Sequence, residues 1–149
     1  MLISECWFAL RLGIWICLLP IILRFRSLPE LLKRNSLVQK RAGSRNPLEM
    51  ERALSIVAWL CRLRIFRLPW FPRACLRQSL ALYRVLTRMG YPVEIHFGIH
   101  KDREILQGHS WVTLQGRPIA DGTRTEVFKL VYSYPRAQYK SELDETNWL

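Results

Sequence analysis

Cys75 stands at a position where a helix is predicted to begin. It follows Pro69 and Pro72 and precedes an apolar and basic run that ends at Gly90. A cysteine in the first turn of a helix lies near unpaired backbone N–H groups and the positive end of the helix dipole, and both favour the thiolate over the thiol. The backbone N–H at this point could also hold an oxyanion during acyl transfer. The alternative is a buried cysteine that fills space against Trp70.

A nucleophilic cysteine needs a general base, and the sequence contains three histidines. His96 and His100 share the polar face of a predicted strand, which favours solvated surface positions. His109 lies in the segment GHSWV, at the start of an aromatic strand, and is the candidate base; its alternative is an exposed strand residue at a sheet edge. Such a base needs an acceptor for its second ring nitrogen, and Asp121 is the candidate.

The hairpin that follows His109 decides whether Asp121 can reach it. With a three-residue loop at 114–116, residue 109 faces residue 121 on the same side of the sheet. With a two-residue loop at 115–116, residue 109 faces residue 122, and Asp121 points to the other side. A three-residue loop with glycine in its last, left-handed position is a common hairpin. A catalytic set of Cys75, His109 and Asp121 is therefore reasonable, and the two-residue alternative stays open.

The elements that must carry these residues follow from the periodicity of the apolar residues. A stripe with spacings of four and three predicts a helix from about Pro47, ahead of the helix at Cys75. Three strands are predicted after the helices, at residues 93–99, 108–114 and 117–121. Residues 101–107 are predicted as a polar turn, and residues 125–135 as one more strand or helix. Helices followed by an antiparallel sheet indicate an α+β fold.

The composition limits the size of the protein and the choice of partners. With 149 residues, half of them hydrophobic, the chain suits one domain with an extension. The net charge is +11, and residues 1–74 hold 13 Lys and Arg against 4 Asp and Glu, a net +9. Such a basic excess attracts nucleic acid, anionic lipid or an acidic protein segment. Because the chain lacks the known DNA- and RNA-reading motifs, specific nucleic-acid binding is not expected.

The four cysteines and the N-terminal apolar segment bear on localisation. No two cysteines form a close pair, so neither a zinc site nor a redox pair is predicted, and a reducing, cytoplasmic compartment is favoured. Residues 12–23 are apolar but contain Pro20, and twelve residues are too few to span a bilayer. Extending the stretch would include Glu5 and Arg11, which are costly in lipid. We expect a helix that packs on the domain or lies at a membrane surface.

Residues 69–122, PWFPRACLRQSLALYRVLTRMGYPVEIHFGIHKD…GHSWVTLQGRPIAD, resemble the transglutaminase-like cysteine peptidases of lasso-peptide maturation, the B-type leader peptidases in their split, B2 form. The matching pieces are the tryptophan and prolines before CLRQSLALY, the helix closed by a glycine, the strand with FGI, and the HSWV box. The resemblance implies a papain-like or transglutaminase-like α+β core. It implies that Cys75 is the nucleophile, His109 the base and Asp121 the orienting carboxylate.

The sequence departs from the usual pattern of that family on both sides of His109. Gly108 and Ser110 stand where small alanines are commoner, and Asp121 falls in a more variable stretch. The implied domain organisation is a helical N-terminal extension over residues 1–46, a peptidase domain over residues 47–140 and a polar tail over residues 141–149.

The activity implied by the resemblance is removal of the leader from a ribosomally made lasso precursor peptide. Nothing before residue 47 has the strand-rich pattern of a leader-binding domain, so a separate leader-recognition protein of the B1 type is implied. An asparagine-synthetase-like macrolactam cyclase is the other implied partner. No cofactor or metal is expected, and a need for ATP would belong with the cyclase, since the chain has no phosphate-binding glycine loop. Two alternatives stay open: a transglutaminase-like acyltransferase, and a non-catalytic basic adaptor at the membrane periphery.

Overall fold

The computed structural model describes residues 2–37, 47–63, 73–103, 105–120, 122 and 124–135. Within these residues the chain forms four α-helices, α1 (Leu2–Phe25), α2 (Leu28–Leu37), α3 (Pro47–Arg62) and α4 (Ala74–Arg88). Four strands follow, β1 (Val93–Asp102), β2 (Ile105–Leu114), β3 (Arg117–Ile119) and β4 (Lys129–Tyr134). The strands form one antiparallel sheet in the order β3-β2-β1-β4. The predicted α+β fold is confirmed.

Helix α4 is the central element of the core and ends where the sequence predicted. Its inward face packs on the sheet through a row of buried side chains, Leu80, Tyr83, Leu86 and Thr87. Gly90 adopts a left-handed φ of 86°. The Gly90 N–H donates to the Thr87 carbonyl and the Tyr91 N–H donates to the Leu86 carbonyl, both at 3.0 Å. This pair of bonds is a Schellman motif, which satisfies carbonyls at the helix end and turns the chain into β1.

The N-terminal helices contribute to the same core. The buried cluster that holds Leu80 of α4 and Ile95 of β1 also contains Leu12, Ile16, Leu19, Leu31 and Leu32. Helix α3 begins at Pro47, as predicted, and buries Ala53, Val57 and Leu60. The predicted boundary at residue 46 and the predicted tail at residues 141–149 both lie outside the described residues, so that division of the chain stays a prediction.

Helix α1 is longer than the apolar stretch of residues 12–23. It runs for 24 residues and continues through Pro20. A proline inside a helix removes one backbone hydrogen bond, but Ile16 and Leu19 before it and Ile22 after it all pack on the core. Packing on both sides of the proline therefore keeps the helix continuous. The part from Glu5 to Phe25 is long and apolar enough to cross a membrane, judged by length and composition only.

The β1–β2 hairpin extends beyond its predicted length. Pairing continues from Val93↔Leu114 to Asp102↔Ile105, so the prediction of a polar turn over residues 101–107 is wrong. The residues at this end of the hairpin are mostly exposed, and the backbone ladder holds polar and apolar residues alike, Ile105 and Leu106 among them, in strand conformation. Solvent exposure there is compatible with a strand as well as with a turn.

The β2–β3 hairpin has the shorter of the two possible loops. Leu114 pairs with Arg117, and the loop residues Gln115 and Gly116 both have left-handed φ values, 52° and 76°. This is the two-residue turn whose twist matches the strands that it joins. The three-residue register that would have placed residue 121 opposite residue 109 is therefore wrong. Strand β3 also ends at Ile119, so its ladder does not reach the level of His109.

Gly98 of β1 lies beneath the side chain of Trp111. A Cβ added to Gly98 would come within 2.9 Å of Phe128 Cβ and within 3.0 Å of two ring carbons of Trp111. Trp111 is only 8% exposed, so its ring has little room to retreat. We expect Gly98→Ala to lower the free energy of unfolding by about 1–3 kcal/mol, the usual cost of overpacking, as measured by urea denaturation.

The matched control for that substitution is Gly108→Ala on the neighbouring strand. A Cβ added to Gly108 meets nothing within 4 Å. Its free energy of unfolding should stay within about 0.5 kcal/mol of the wild type, as for most surface changes. Equal stabilities for the two alanine variants would contradict the close packing of Trp111 over Gly98.

Candidate active site

A pocket of about 350 Å³ opens at the N-terminal end of α4. One face of α4 lines it through residues spaced by one helical turn, Cys75, Gln78, Ser79 and Leu82. Strand β2 contributes His109 and Ser110. Their side chains leave opposite faces of the strand, Ser110 toward α4 and His109 on the face of Trp111. The structure thus brings two of the predicted site residues, Cys75 and His109, into a single pocket.

The start of α4 has the form that the sequence predicted for Cys75. The N-cap residue is Arg73, whose side chain makes no capping hydrogen bond. The Arg77 N–H donates to the Arg73 carbonyl at 3.0 Å. The N–H groups of Ala74, Cys75 and Leu76 precede this donor and have no partner within the helix. Their position beside the thiol suits them to stabilise an oxyanion.

A buried pair of serines joins α4 to β2 next to the two candidate groups. The hydroxyls of Ser79 and Ser110 hydrogen-bond to each other at 2.8 Å, and both residues are buried. Ser79 lies one helical turn after Cys75, and Ser110 directly follows His109. The bond therefore fixes the helix and the strand relative to each other at the level of the pocket. It also gives Ser110 a partner at a position where alanine is commoner in the family that the sequence resembles.

A second contact ties α4 to the chain that follows β3. The Gln78 side-chain amide donates to the Ala120 carbonyl at 3.2 Å. Ala120, directly after β3, has a left-handed φ of 53°. Ala120 and Gly122 both line the pocket. Asp121 itself lies outside the described residues, so its role as the orienting carboxylate stays a prediction.

The imidazole of His109 packs beside two aromatic rings. It lies nearly parallel to the indole of Trp111, with ring centroids 5.9 Å apart and an angle of 16°, and its centroid is 5.0 Å from that of Phe128. These contacts restrict the ring of His109 on the side away from α4. Strand β3 pairs with β2 only from Val112 to Leu114. The edge of β2 on the His109 side of Val112 is therefore not paired with β3, and the pocket opens at that edge. His109 is therefore a half-buried residue that lines the pocket.

His96 is a structural histidine, and the prediction of a solvated position is wrong for it. Its side chain is 13% exposed, it stacks on Trp111 with ring centroids 5.6 Å apart, and its Nε2 shares a hydrogen bond of 2.8 Å with Thr113 Oγ1. Burial lowers the pKa of His96, and the nearby Glu94 carboxylate opposes that effect. Trp111 covers His96, its cross-strand neighbour. It therefore partly shields the polar face of β1 from water.

The other histidine and the other cysteines lie outside the pocket. His100 meets Phe128 edge-on, with ring centroids 5.8 Å apart. Burial raises the pKa of the Cys61 thiol, and the Arg77 guanidinium partly offsets this. Cys61 is therefore a space-filling thiol of α3. Cys6 and Cys17 are exposed on α1.

Several residues at the pocket went unrecognised in the sequence. Gln78 and Ser79 follow Cys75 at helical spacing, and this spacing was the available signal for their place beside it. Arg62 at the end of α3 also lines the pocket and brings a positive charge to it; its position depends on the packing of α3 against α4, for which the sequence carries no local signal. Among the described residues, no group of three or more His, Cys, Asp or Glu is placed to hold a metal ion.

Comparison with known proteins supports the fold and the general class. A family model described as the transglutaminase-like superfamily matches residues 15–133, a span that includes α2, α3, α4, the pocket and nearly all of the sheet. Neither the curated proteins nor the solved structures contain a match to this chain.

Proposed function

The chain belongs to the transglutaminase-like superfamily, and from that premise we propose that it is a cysteine endopeptidase that removes the leader from a ribosomally made lasso precursor peptide. The superfamily generally contains enzymes with cysteine-protease-type chemistry, and it includes acyltransferases. The observation that carries the proposal is the pocket shared by Cys75, at the start of a helix, and His109, on the facing strand. The lasso assignment draws its support from the resemblance over residues 69–122.

The proposed reaction is an acyl transfer to water through a thioester. His109 accepts the proton of the Cys75 thiol, and the sulfur attacks the carbonyl carbon at the leader–core junction. Backbone N–H groups at the start of α4 stabilise the oxyanion. The carbon–nitrogen bond breaks, His109 protonates the amine of the core, and the leader remains on the sulfur as a thioester. Water then attacks the thioester, His109 takes its proton, and the sulfur leaves and receives that proton from His109, which restores the thiol and the neutral imidazole.

The proposed partners follow from the same assignment. The precursor peptide is the substrate, a separate leader-recognition protein presents it, and a macrolactam cyclase uses the released core. The positive charge that Arg62 brings to the pocket suits a peptide carbonyl or carboxylate near the reacting bond.

The test is product analysis by mass spectrometry. Purified protein, precursor peptide and the leader-recognition protein are incubated in isotopically labelled water. We expect free core and free leader, with labelled oxygen in the new C-terminal carboxylate of the leader. An isopeptide-linked product with no label would instead establish the acyltransferase alternative. If the precursor stays intact in this assay, and cells that carry Cys75→Ala still mature the peptide normally, the non-catalytic adaptor is the remaining function.

A further inference from the structure

Helix α1 carries a continuous apolar stripe on its outward side. Six large hydrophobic residues recur at spacings of three and four and are between 44% and 79% exposed: Trp7, Leu10, Ile14, Leu18, Ile21 and Phe25. At the rise of an α-helix the stripe is about 27 Å long. The opposite side of α1 is buried in the core through Leu12, Ile16 and Leu19. Helix α1 is thus apolar on two sides, and the protein covers only one of them.

The stripe continues onto α3 through a shallow groove. The groove has a volume of about 910 Å³, and its walls are apolar side chains of both helices, among them Ile14, Leu18, Ile56 and Trp59. Trp59 is 60% exposed. An exposed apolar surface of this extent, two helices wide, is typical of an interaction site. We call the outward stripe of α1 together with Trp59 the apolar face.

Arginines border the apolar face. Arg11 is exposed next to the stripe, and Arg24 and Arg26 are exposed where α1 ends. The acidic residue Glu5 is already paired, since its carboxylate lies 3.4 Å from the Arg52 guanidinium. An apolar helix face bordered by arginines complements the acyl boundary and the anionic headgroups of a membrane. Trp7 and Trp59 add the residue type that favours that boundary.

A protein partner fits the apolar face less well than lipid does. Protein interfaces carry about one hydrogen bond per 100–200 Å². From Trp7 to Phe25 the six outward side chains contain no hydroxyl, amide or charged group, so nearly all of the stripe lacks groups that a protein partner could bond. A lipid surface requires no such bonds from the buried part of the helix.

The packing of α1 also determines its orientation. Its inner side contacts the core residues of α3 and α4, so a transmembrane position would detach α1 from the core and expose Leu12, Ile16 and Leu19. A helix that stays packed on the domain presents only its outward stripe and therefore lies parallel to the membrane surface. We propose that the apolar face of α1 and α3 docks this protein on the surface of an anionic membrane.

Docking would bring the candidate active site close to the lipid surface. Trp59 of the apolar face and Arg62 of the pocket are three positions apart on α3, which is about 5 Å along the helix axis. The proposal itself rests on α1 and α3 alone, so it does not depend on the peptidase assignment.

The test is binding of the full-length protein to lipid vesicles. Vesicles of phosphatidylcholine with phosphatidylglycerol are sedimented with wild-type protein and with the triple variant Leu10→Gln/Ile14→Gln/Leu18→Gln. We expect wild type to bind and the triple variant to bind at least ten-fold more weakly, since three side chains no longer enter the acyl boundary. Arg24→Gln/Arg26→Gln should reduce the preference for phosphatidylglycerol over pure phosphatidylcholine.

The matched control removes equally exposed apolar side chains elsewhere. Ile105→Gln/Leu106→Gln/Val131→Gln changes three residues of the sheet that are 65%, 62% and 62% exposed, and its vesicle binding should equal that of wild type. Urea denaturation checks that both triple variants fold. The Cys75→Ala variant should bind vesicles like wild type, which separates docking from catalysis.

Two results would overturn the proposal. The first is vesicle binding that the α1 variant does not weaken. The second is wild-type protein that ignores vesicles but sediments as a dimer, with the α1 variant monomeric, because the apolar face would then join two copies of the chain.

Discussion

Cys75→Ala is expected to reduce leader cleavage by about 10⁴-fold or more, to a level set by the uncatalysed reaction with bound substrate. The alanine keeps the start of α4 and its N–H groups, so substrate binding and the oxyanion site remain while the nucleophile is removed. Binding of the precursor should therefore stay within about two-fold of wild type. The measurements are single-turnover cleavage and a binding titration with labelled precursor.

The matched control for the loss of a thiol is Cys61→Ala. Cys61 is half-buried in α3, burial raises the pKa of its thiol, and it does not line the pocket. Its removal should leave the cleavage rate within about three-fold of wild type, although a small loss of stability follows from the lost packing. Substantial cleavage by Cys75→Ala, or loss of cleavage in Cys61→Ala with the fold intact, would remove Cys75 from the role of nucleophile.

His109→Ala is expected to lower the rate of acylation by about 10³-fold, within the usual range for loss of a general base. The substitution empties the space beside Trp111 and Phe128 that the imidazole occupies. Free imidazole added to the buffer should therefore enter that space and restore part of the rate. A purely structural role for His109 would not produce such rescue, so the rescue distinguishes a base from a packing residue.

The matched control for that substitution is His100→Ala on the neighbouring strand. His100 also contacts Phe128 but does not line the pocket. Its cleavage rate should stay within about three-fold of wild type, and imidazole should have no effect. An active His109→Ala variant whose rate imidazole does not change would mean that another group accepts the thiol proton.

The helix at Cys75 could be predicted because its ends are marked by local residues. Prolines precede Cys75 in the chain, and Gly90 supplies the left-handed residue that the Schellman motif requires. The buried faces of α4 and β1 followed from periodicities of 3.6 and 2, which depend only on backbone geometry. The same local rules placed Cys75 at the start of a helix and His109 on a strand, and both residues line the pocket.

The hairpin loop after β2 could not be predicted from the same rules. The segment Leu-Gln-Gly fits a two-residue or a three-residue loop, and the choice depends on the left-handed φ of Gln115, which a glutamine does not signal. The position of Asp121 depended on that choice. The burial of His96 was missed for a related reason, because the residue that covers it, Trp111, is its cross-strand partner and becomes a neighbour only in the folded sheet.

The serine pair has a consequence for how the site assembles. Ser79 and Ser110 are 31 positions apart, and every element between them, the rest of α4, β1 and the first half of β2, is packed in chain order. Cys75 and His109, the proposed nucleophile and base, therefore belong to one contiguous α4–β1–β2 unit of the chain. An insertion within that unit would disturb their relative placement more than one at either terminus.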